Sequence, residues 1–280
     1  MHEAIPPETL AFLALFVFLG FTTQAMAGFG GTVITLTLGA LLLPIERLVP
    51  LIVAVGWVQT FVLSVRLRGD VEWRLLGTFV MPLMVVGAVG GLVLQEYVGG
   101  VTLKVVYGVF VVTVAARELR LMARANGDAQ EPLPRPAAVL CTLGAGLIHG
   151  IYASGGPLLV YVIGRLGLAK GAFRATLITV WLPVNTGLLI WYVVSGRLTS
   201  QDLPAAGLLL IPIGLALVVG EWGHQKVDER RFKTIANGLL LVAGCVLLFA
   251  TVRDLQNAPP PPGSPTPTPG GIAAPSTGAR

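Results

Sequence analysis

Eight apolar stretches of this chain carry no Asp, Glu, Lys or Arg: residues 9–45, 48–65, 75–95, 105–116, 136–164, 175–196, 203–220 and 234–252. An apolar helix needs about 20 residues to cross a bilayer, and most of these runs have that order of length. Charged residues make up 12% of the 280 residues, half the roughly 25% of a soluble domain. An all-α polytopic membrane protein is therefore expected. The run 105–116 is short, but Lys104 and Arg117 at its ends can snorkel, so a helix over about 100–120 is expected there.

Two runs do not fit a single span. Residues 9–45 are interrupted by Ala27-Gly28-Phe29-Gly30-Gly31, and residues 136–164 by Tyr152-Ala153-Ser154-Gly155-Gly156-Pro157. Each reads as two short helices, either a re-entrant hairpin or a pair of short spans. The chain matches itself around these breaks. Gly30-Gly31 pairs with Gly155-Gly156, Gln24 with His149, Gly69 with Gly196 and Pro82 with Pro212. Lys104 and Gly108 pair with Lys233 and Gly238. Residues 9–122 and 137–252 thus read as one duplicated unit, each a broken hairpin plus three transmembrane helices. Residues 1–8 form an N-terminal segment, 123–135 a polar linker, and 256–280 a Pro-rich tail expected to be disordered and given no function.

Charge orients the halves. If each broken run returns to its starting side, 14 Lys and Arg lie on one side and 5 on the other. If each crosses once, the split is 10 against 9. The positive-inside rule selects the first arrangement. Each half then crosses an odd number of times, so the halves are inverted repeats. The linker 123–135 is cytoplasmic and both termini are non-cytoplasmic. The stretch Met1–Pro7 lacks a basic leader, so the first apolar segment is expected to be retained. The net charge of +5 sits in loops between apolar runs, so topology accounts for it and no nucleic-acid partner is implied. Cys141 and Cys245 lie within apolar runs and read as inert small hydrophobes.

Broken apolar segments at matching places in two halves point to a transporter binding site. A helix N-terminus carries unpaired N–H groups and about half a positive charge. Inside a bilayer those donors need a partner, and an anion supplies one. Gly28, Gly30, Gly31, Gly155 and Gly156 allow close approach to the backbone, and Pro157 suits a first helical turn. Thr32 and Ser154 add hydroxyls. Gln24 and His149 precede the breaks at equivalent positions, and Asn185 is a further polar candidate. Phe29 and Tyr152 flank the breaks as candidate thin gates. Arg174 reads as a topology anchor that also guides anions.

Gly28-Phe29-Gly30-Gly31, and His149-Gly150 through Ser154-Gly155-Gly156-Pro157, resemble the sulfite exporter TauE/SafE family of permeases. Phe173-Arg174-Ala175-Thr176 and Asn185 also resemble that family's second half, and the similarity covers about residues 9–252. One departure is Thr32, where many members continue with glycine or another small residue. The resemblance implies a permease for small anions, often sulfur-containing ones such as sulfite or organosulfonates, in a bacterial cytoplasmic (inner) membrane.

No Asp or Glu falls deep within a predicted span, which leaves His149 as the one central titratable candidate. An anion leaving a negative interior gains about 2.3 kcal/mol per charge per 100 mV. Potential-driven export is the expected mode, and proton-coupled uptake through His149 is the second. An anion channel and a membrane-embedded enzyme are the readings from other classes. The sequence lacks His-Glu-x-x-His and Gly-x-Ser-x-Gly, and no enzyme activity, cofactor or metal is expected. The partners expected are the small anion and the lipid bilayer, with a homo-oligomer left open.

Overall fold

The computed structural model describes residues 5–98, 100–124, 131–226 and 229–256. Among them are ten helices and no strand. The first half contributes α1 (Pro7–Ala27), α2 (Gly31–Gly39), α3 (Ile45–Arg66), α4 (Trp73–Tyr97) and α5 (Gly100–Arg124). The second contributes α6 (Arg135–Tyr152), α7 (Gly156–Ile163), α8 (Lys170–Val194), α9 (Leu203–Lys226) and α10 (Glu229–Gln256). A short 3₁₀ turn, Ser200–Asp202, precedes α9 with a capping box between Thr199 and Asp202. The N-terminal four residues, the centre of the linker and the expected tail from residue 257 lie outside the described residues.

The broken runs differ from expectation in one respect. Each holds one long and one short helix: 21 and 9 residues in the first half, 18 and 8 in the second. The long member extends unbroken to the glycine-rich turn because nothing before that turn disfavours helix. The short member then runs back along it, as Gly20 lies against Thr35 and Gly39 against Leu13. Helix α4 contains a π-helical turn at Leu76–Val80. Pro82 has no N–H to return to Thr78, and the ladder widens just before it.

Among the described residues, five helical segments are long and apolar enough to cross a membrane: Pro7–Ala27, Ile45–Arg66, Trp73–Tyr97, Lys170–Val194 and Ser200–Lys226. Helix α5 carries Lys104, Arg117, Glu118 and Arg120 along its length, and α6 has only 18 residues with Arg135 and His149 among them. Large apolar side chains such as Val86, Ile211, Val218 and Phe249 face outward, as a lipid-facing surface requires.

The helices pair reciprocally. Helix α4 packs against α6 and α9 against α1, so each half lends its fourth helix to the first helix of the other. The equivalent helices α3 and α8 pack together, as do α5 and α10. Helices α3 and α8 are antiparallel, since Trp57 bonds Thr186 at 2.8 Å while Leu63, further on, clusters with Ile178. The α4–α6 contact is a mutual fit of small residues. A Cβ on Gly87 or Gly91 would run into the α6 backbone at Leu143 or Leu147, and one on Gly146 or Gly150 into the α4 backbone at Met84 or Ala88. Such backbone approach is how apolar helices associate where lipid offers no hydrophobic driving force. Gly146→Leu is therefore expected to destabilise the bundle by about 3 kcal/mol. Thermal melting and size-exclusion of the purified variant check it.

Candidate functional site

Both long helices end in the same left-handed cap. Gly28 ends α1 in the left-handed region (φ 88°), and its N–H closes on Gln24 O at 2.8 Å. Ala153 ends α6 the same way (φ 52°), its N–H on His149 O at 2.7 Å. Ala153 is the one non-glycine residue with positive φ among the described residues. Beyond these caps, α2 starts at Gly31 and α7 at Gly156 with Pro157 in its first turn.

Each break is also fastened by the opposite half. Gln95 on α4 donates to Ile151 O at 3.0 Å, and His224 on α9 donates from Nδ1 to Met26 O at 2.8 Å. Met26 and Ile151 are equivalent positions two residues before the left-handed caps. The two chain segments that end a helix in each half thus have their free carbonyls satisfied from the other half.

The tips of the two hairpins meet. Phe29 packs on Gly156, whose would-be Cβ lies 3.3 Å from Phe29 Cβ. The Trp181 indole donates to Gly28 O at 2.8 Å and its ring stacks on His149 at 5.2 Å. Between the tips lies a polar cavity of about 20 Å³. Gln24, Thr32, His149, Ser154 and Asn185 line it, with Gly30 and Gly156 at the two helix starts and Val33, Ala153 and Trp181 as walls. No charged side chain is among them. Two bonds of identical spacing support the polar residues. Gln24 Nε2 donates to Thr60 Oγ1 at 3.4 Å, and His149 Nε2 pairs with Asn185 Oδ1 at 2.9 Å, each across 36 residues. His149 is 2% exposed and its Nδ1 has no protein partner.

The arrangement offers neutral donors and two helix N-termini to one small volume. That chemistry favours a compact negative group. A cavity of this size holds about one water, so the tips must part to admit an oxyanion. An apolar chamber of about 60 Å³ adjoins it through Gly30 and Val33, walled by Phe29, Phe110, Val114, Pro157 and Val160 and reaching Glu118 and Asn237.

The predicted residues separate into three groups. Gln24, Gly30, Thr32, His149, Ser154, Gly156 and Asn185 line the polar cavity. Phe29 and Pro157 line the apolar chamber. Gly28, Gly31 and Gly155 instead pack against protein: added Cβ atoms would meet Arg174 O at 3.0 Å, the Gln24 side chain, and Ala145 O respectively. Tyr152 turns away from the cavity and donates to Leu103 O at 2.9 Å. Arg174 is 3% exposed and bound to Glu221, Nη2 to Oε2 at 2.6 Å, outside both cavities. Its backbone packs on Gly28.

Sequence reasoning missed Thr60, Trp181, Tyr107, Gln95 and His224. Thr60 was reachable, because it stands to Gln24 as Asn185 stands to His149. Gln95 and His224 occupy matching places in the fourth helix of each half. Trp181 and Tyr107 carry no local signal. Ser154 gives its hydroxyl to Tyr152 O at 2.9 Å, and no cluster of three or more His, Cys, Asp or Glu that could hold a metal occurs among the described residues.

A family model described as Sulfite exporter TauE/SafE matches residues 12–247, a span that includes both breaks and reaches α10. No curated protein and no solved structure matches the chain. With nearly the whole chain matched and a bundle of apolar helices around two broken hairpins, the chain belongs to the sulfite exporter TauE/SafE family of membrane permeases.

Proposed function

We propose that this chain is a secondary transporter that exports a small sulfur oxyanion, sulfite or a short sulfonate, down the membrane potential. The observation that carries this reading is the meeting of the two hairpin tips around one polar cavity, with the starts of α2 and α7 and only neutral side-chain donors in its wall. In the proposed bound state the tips separate. The N–H groups at the starts of α2 and α7 then turn to the anion with the Gln24 amide and the Thr32 and Ser154 hydroxyls. Neutral donors hold an anion without trapping it, which suits release on the far side.

The reciprocal packing and the antiparallel α3–α8 pair support reading residues 9–122 and 137–252 as inverted repeats. Rocking of one unit against the other about the tips would expose the cavity to each side in turn. By the distribution of Lys and Arg, the end bearing Arg66, Arg117 and Arg174 is cytoplasmic in a bacterial inner membrane, and both termini are outside. The apolar chamber beside Glu118 is then the cytoplasmic access route, with Phe29 at its inner end.

The test is flux in proteoliposomes loaded with sulfite, sulfate or short sulfonates under an imposed potential. Saturable efflux of one sulfur oxyanion that follows the potential, with counterflow, is the expected result. Electroneutral flux, or none for any member of the set, overturns it. Proton-coupled uptake has one observation in its favour, the uncommitted Nδ1 of His149 in the cavity wall. It requires that His149→Gln abolish the pH dependence of flux.

A further inference from the structure

Tyr107 on α5 is fully buried, and its hydroxyl touches both hairpins. It lies 3.1 Å from Val33 O and 3.4 Å from Thr37 Oγ1 on α2, and 3.4 Å from Ser154 Oγ in the second break. Val33 and Ser154 both line the polar cavity. The Tyr107 ring also packs 4.7 Å from the Tyr152 ring, and Tyr152 is tied to Leu103, one turn earlier on α5. Helix α5 is thus the platform on which the two tips rest.

The hydroxyl hydrogens can be counted. Thr37 donates to Val33 O at 2.6 Å, Tyr107 to the same carbonyl at 3.1 Å, and Ser154 to Tyr152 O at 2.9 Å. Each of the three thus has a carbonyl within reach, and the Tyr107 and Ser154 hydroxyls also lie 3.4 Å apart, where either can donate to the other. If Ser154 turns its hydrogen into the cavity, it can no longer donate to the phenol, and the 3.4 Å contact is made only with Tyr107 donating. Val33 O keeps its bond from Thr37 when the phenol leaves it. The one bond given up outright is that from Ser154 to Tyr152 O, and a charge-assisted bond to an anion more than offsets a neutral one.

We propose that Tyr107 is a positioning residue for the anion. When Ser154 donates to an oxyanion, the Tyr107 hydroxyl swings from Val33 O to Ser154 Oγ. That polarises the serine donor and releases part of the hold of α5 on α2. This rests on the anion-transport reading above. It assigns a role to a residue that does not line the cavity and acts only through Ser154.

The experiment is a double-variant cycle on potential-driven efflux of radiolabelled sulfite from proteoliposomes. Tyr107→Phe keeps the ring and removes only the hydroxyl. It is expected to raise KM about 4-fold, and Ser154→Ala about 10-fold, the range for loss of one supported hydrogen bond to a charged group. Because Tyr107 acts through Ser154, the double variant is expected to match Ser154→Ala within about 2-fold. A merely structural tyrosine gives multiplied effects, about 40-fold in the double variant, and that result overturns the proposal. So does an unchanged KM in Tyr107→Phe when Ser154→Ala raises it. Melting curves confirm that all three variants fold. A wild-type protein that does not move sulfite removes the transport reading and this inference together. A transporting wild type with multiplied effects removes the relay alone.

Discussion

Gly156→Leu is expected to leave the protein folded and to cut anion flux by about 100-fold, while the neighbouring Gly155→Ala is expected to destabilise the fold by about 3 kcal/mol or more. A Cβ at Gly156 meets Phe29 Cβ at 3.3 Å and Trp181 Cζ2 at 3.8 Å, so a methyl fits after a small shift. An isobutyl group reaches into a cavity of about 20 Å³ and takes the space the anion needs. Overpacking costs about 1–3 kcal/mol, and the upper part of that range is about 100-fold in binding. Gly156→Ala is the control, with flux within a few-fold of wild type. At Gly155 even a methyl is driven into Ala145 O and to 3.0 Å from His149 Cβ. Backbone cannot yield there, so α6 and α7 must separate. Melting temperature and proteoliposome flux, measured together, distinguish the two failures. Normal flux in a folded Gly156→Leu variant would mean that the hairpin tips do not hold the anion.

The contrast between these adjacent glycines marks where sequence stops being informative. The breaks themselves were legible because glycine and proline end apolar runs for reasons that do not depend on tertiary contact. Gln24 and His149 were legible as a pair because each stands six residues before the Gly-Gly of its break. A packing glycine and a site glycine look alike, however. Gly31 and Gly155 fit against Gln24 and Ala145, whereas Gly30 and Gly156 open to the cavity, and only the approach of other helices separates them. Thr60 went unnoticed because a threonine inside a helix normally bonds its own backbone, and Thr60 does so too, to Gly56 O at 2.8 Å. The helix ends lie a few residues beyond the charge-free runs, as at Lys170–Val194 against 175–196 for its start. Lys, Arg and Glu are good helix formers and do not stop a helix that has left the apolar layer.

Arg174 stands in a family-like motif, and its neighbourhood separates two roles. Its side chain is 4% exposed and that of Glu221 36%, with contacts of 2.6 and 3.5 Å between them. Lys170 adds a bond to His224 O at 3.0 Å, so the first turn of α8 is pinned to the last turn of α9 beside the first break. Glu221→Ala strands a buried guanidinium. For a fully buried pair that costs about 3–5 kcal/mol, and hydration on the exposed side of Glu221 reduces it to about 2. A fall in melting temperature of about 4–8 °C is expected. Arg174→Met removes both the cation and its need for a partner while filling most of the same volume, and leaves Glu221 able to reach water. Its expected cost is below about 1 kcal/mol. Transport is the deciding readout in the methionine variant. Because the backbone of Arg174, not its guanidinium, packs on Gly28, flux is expected to stay within about 3-fold of wild type, a difference below 1 kcal/mol. If Arg174→Met folds but loses flux 10-fold or more at low ionic strength, and the gap to wild type closes in salt, the guanidinium guides the anion after all, about 1.4 kcal/mol of steering.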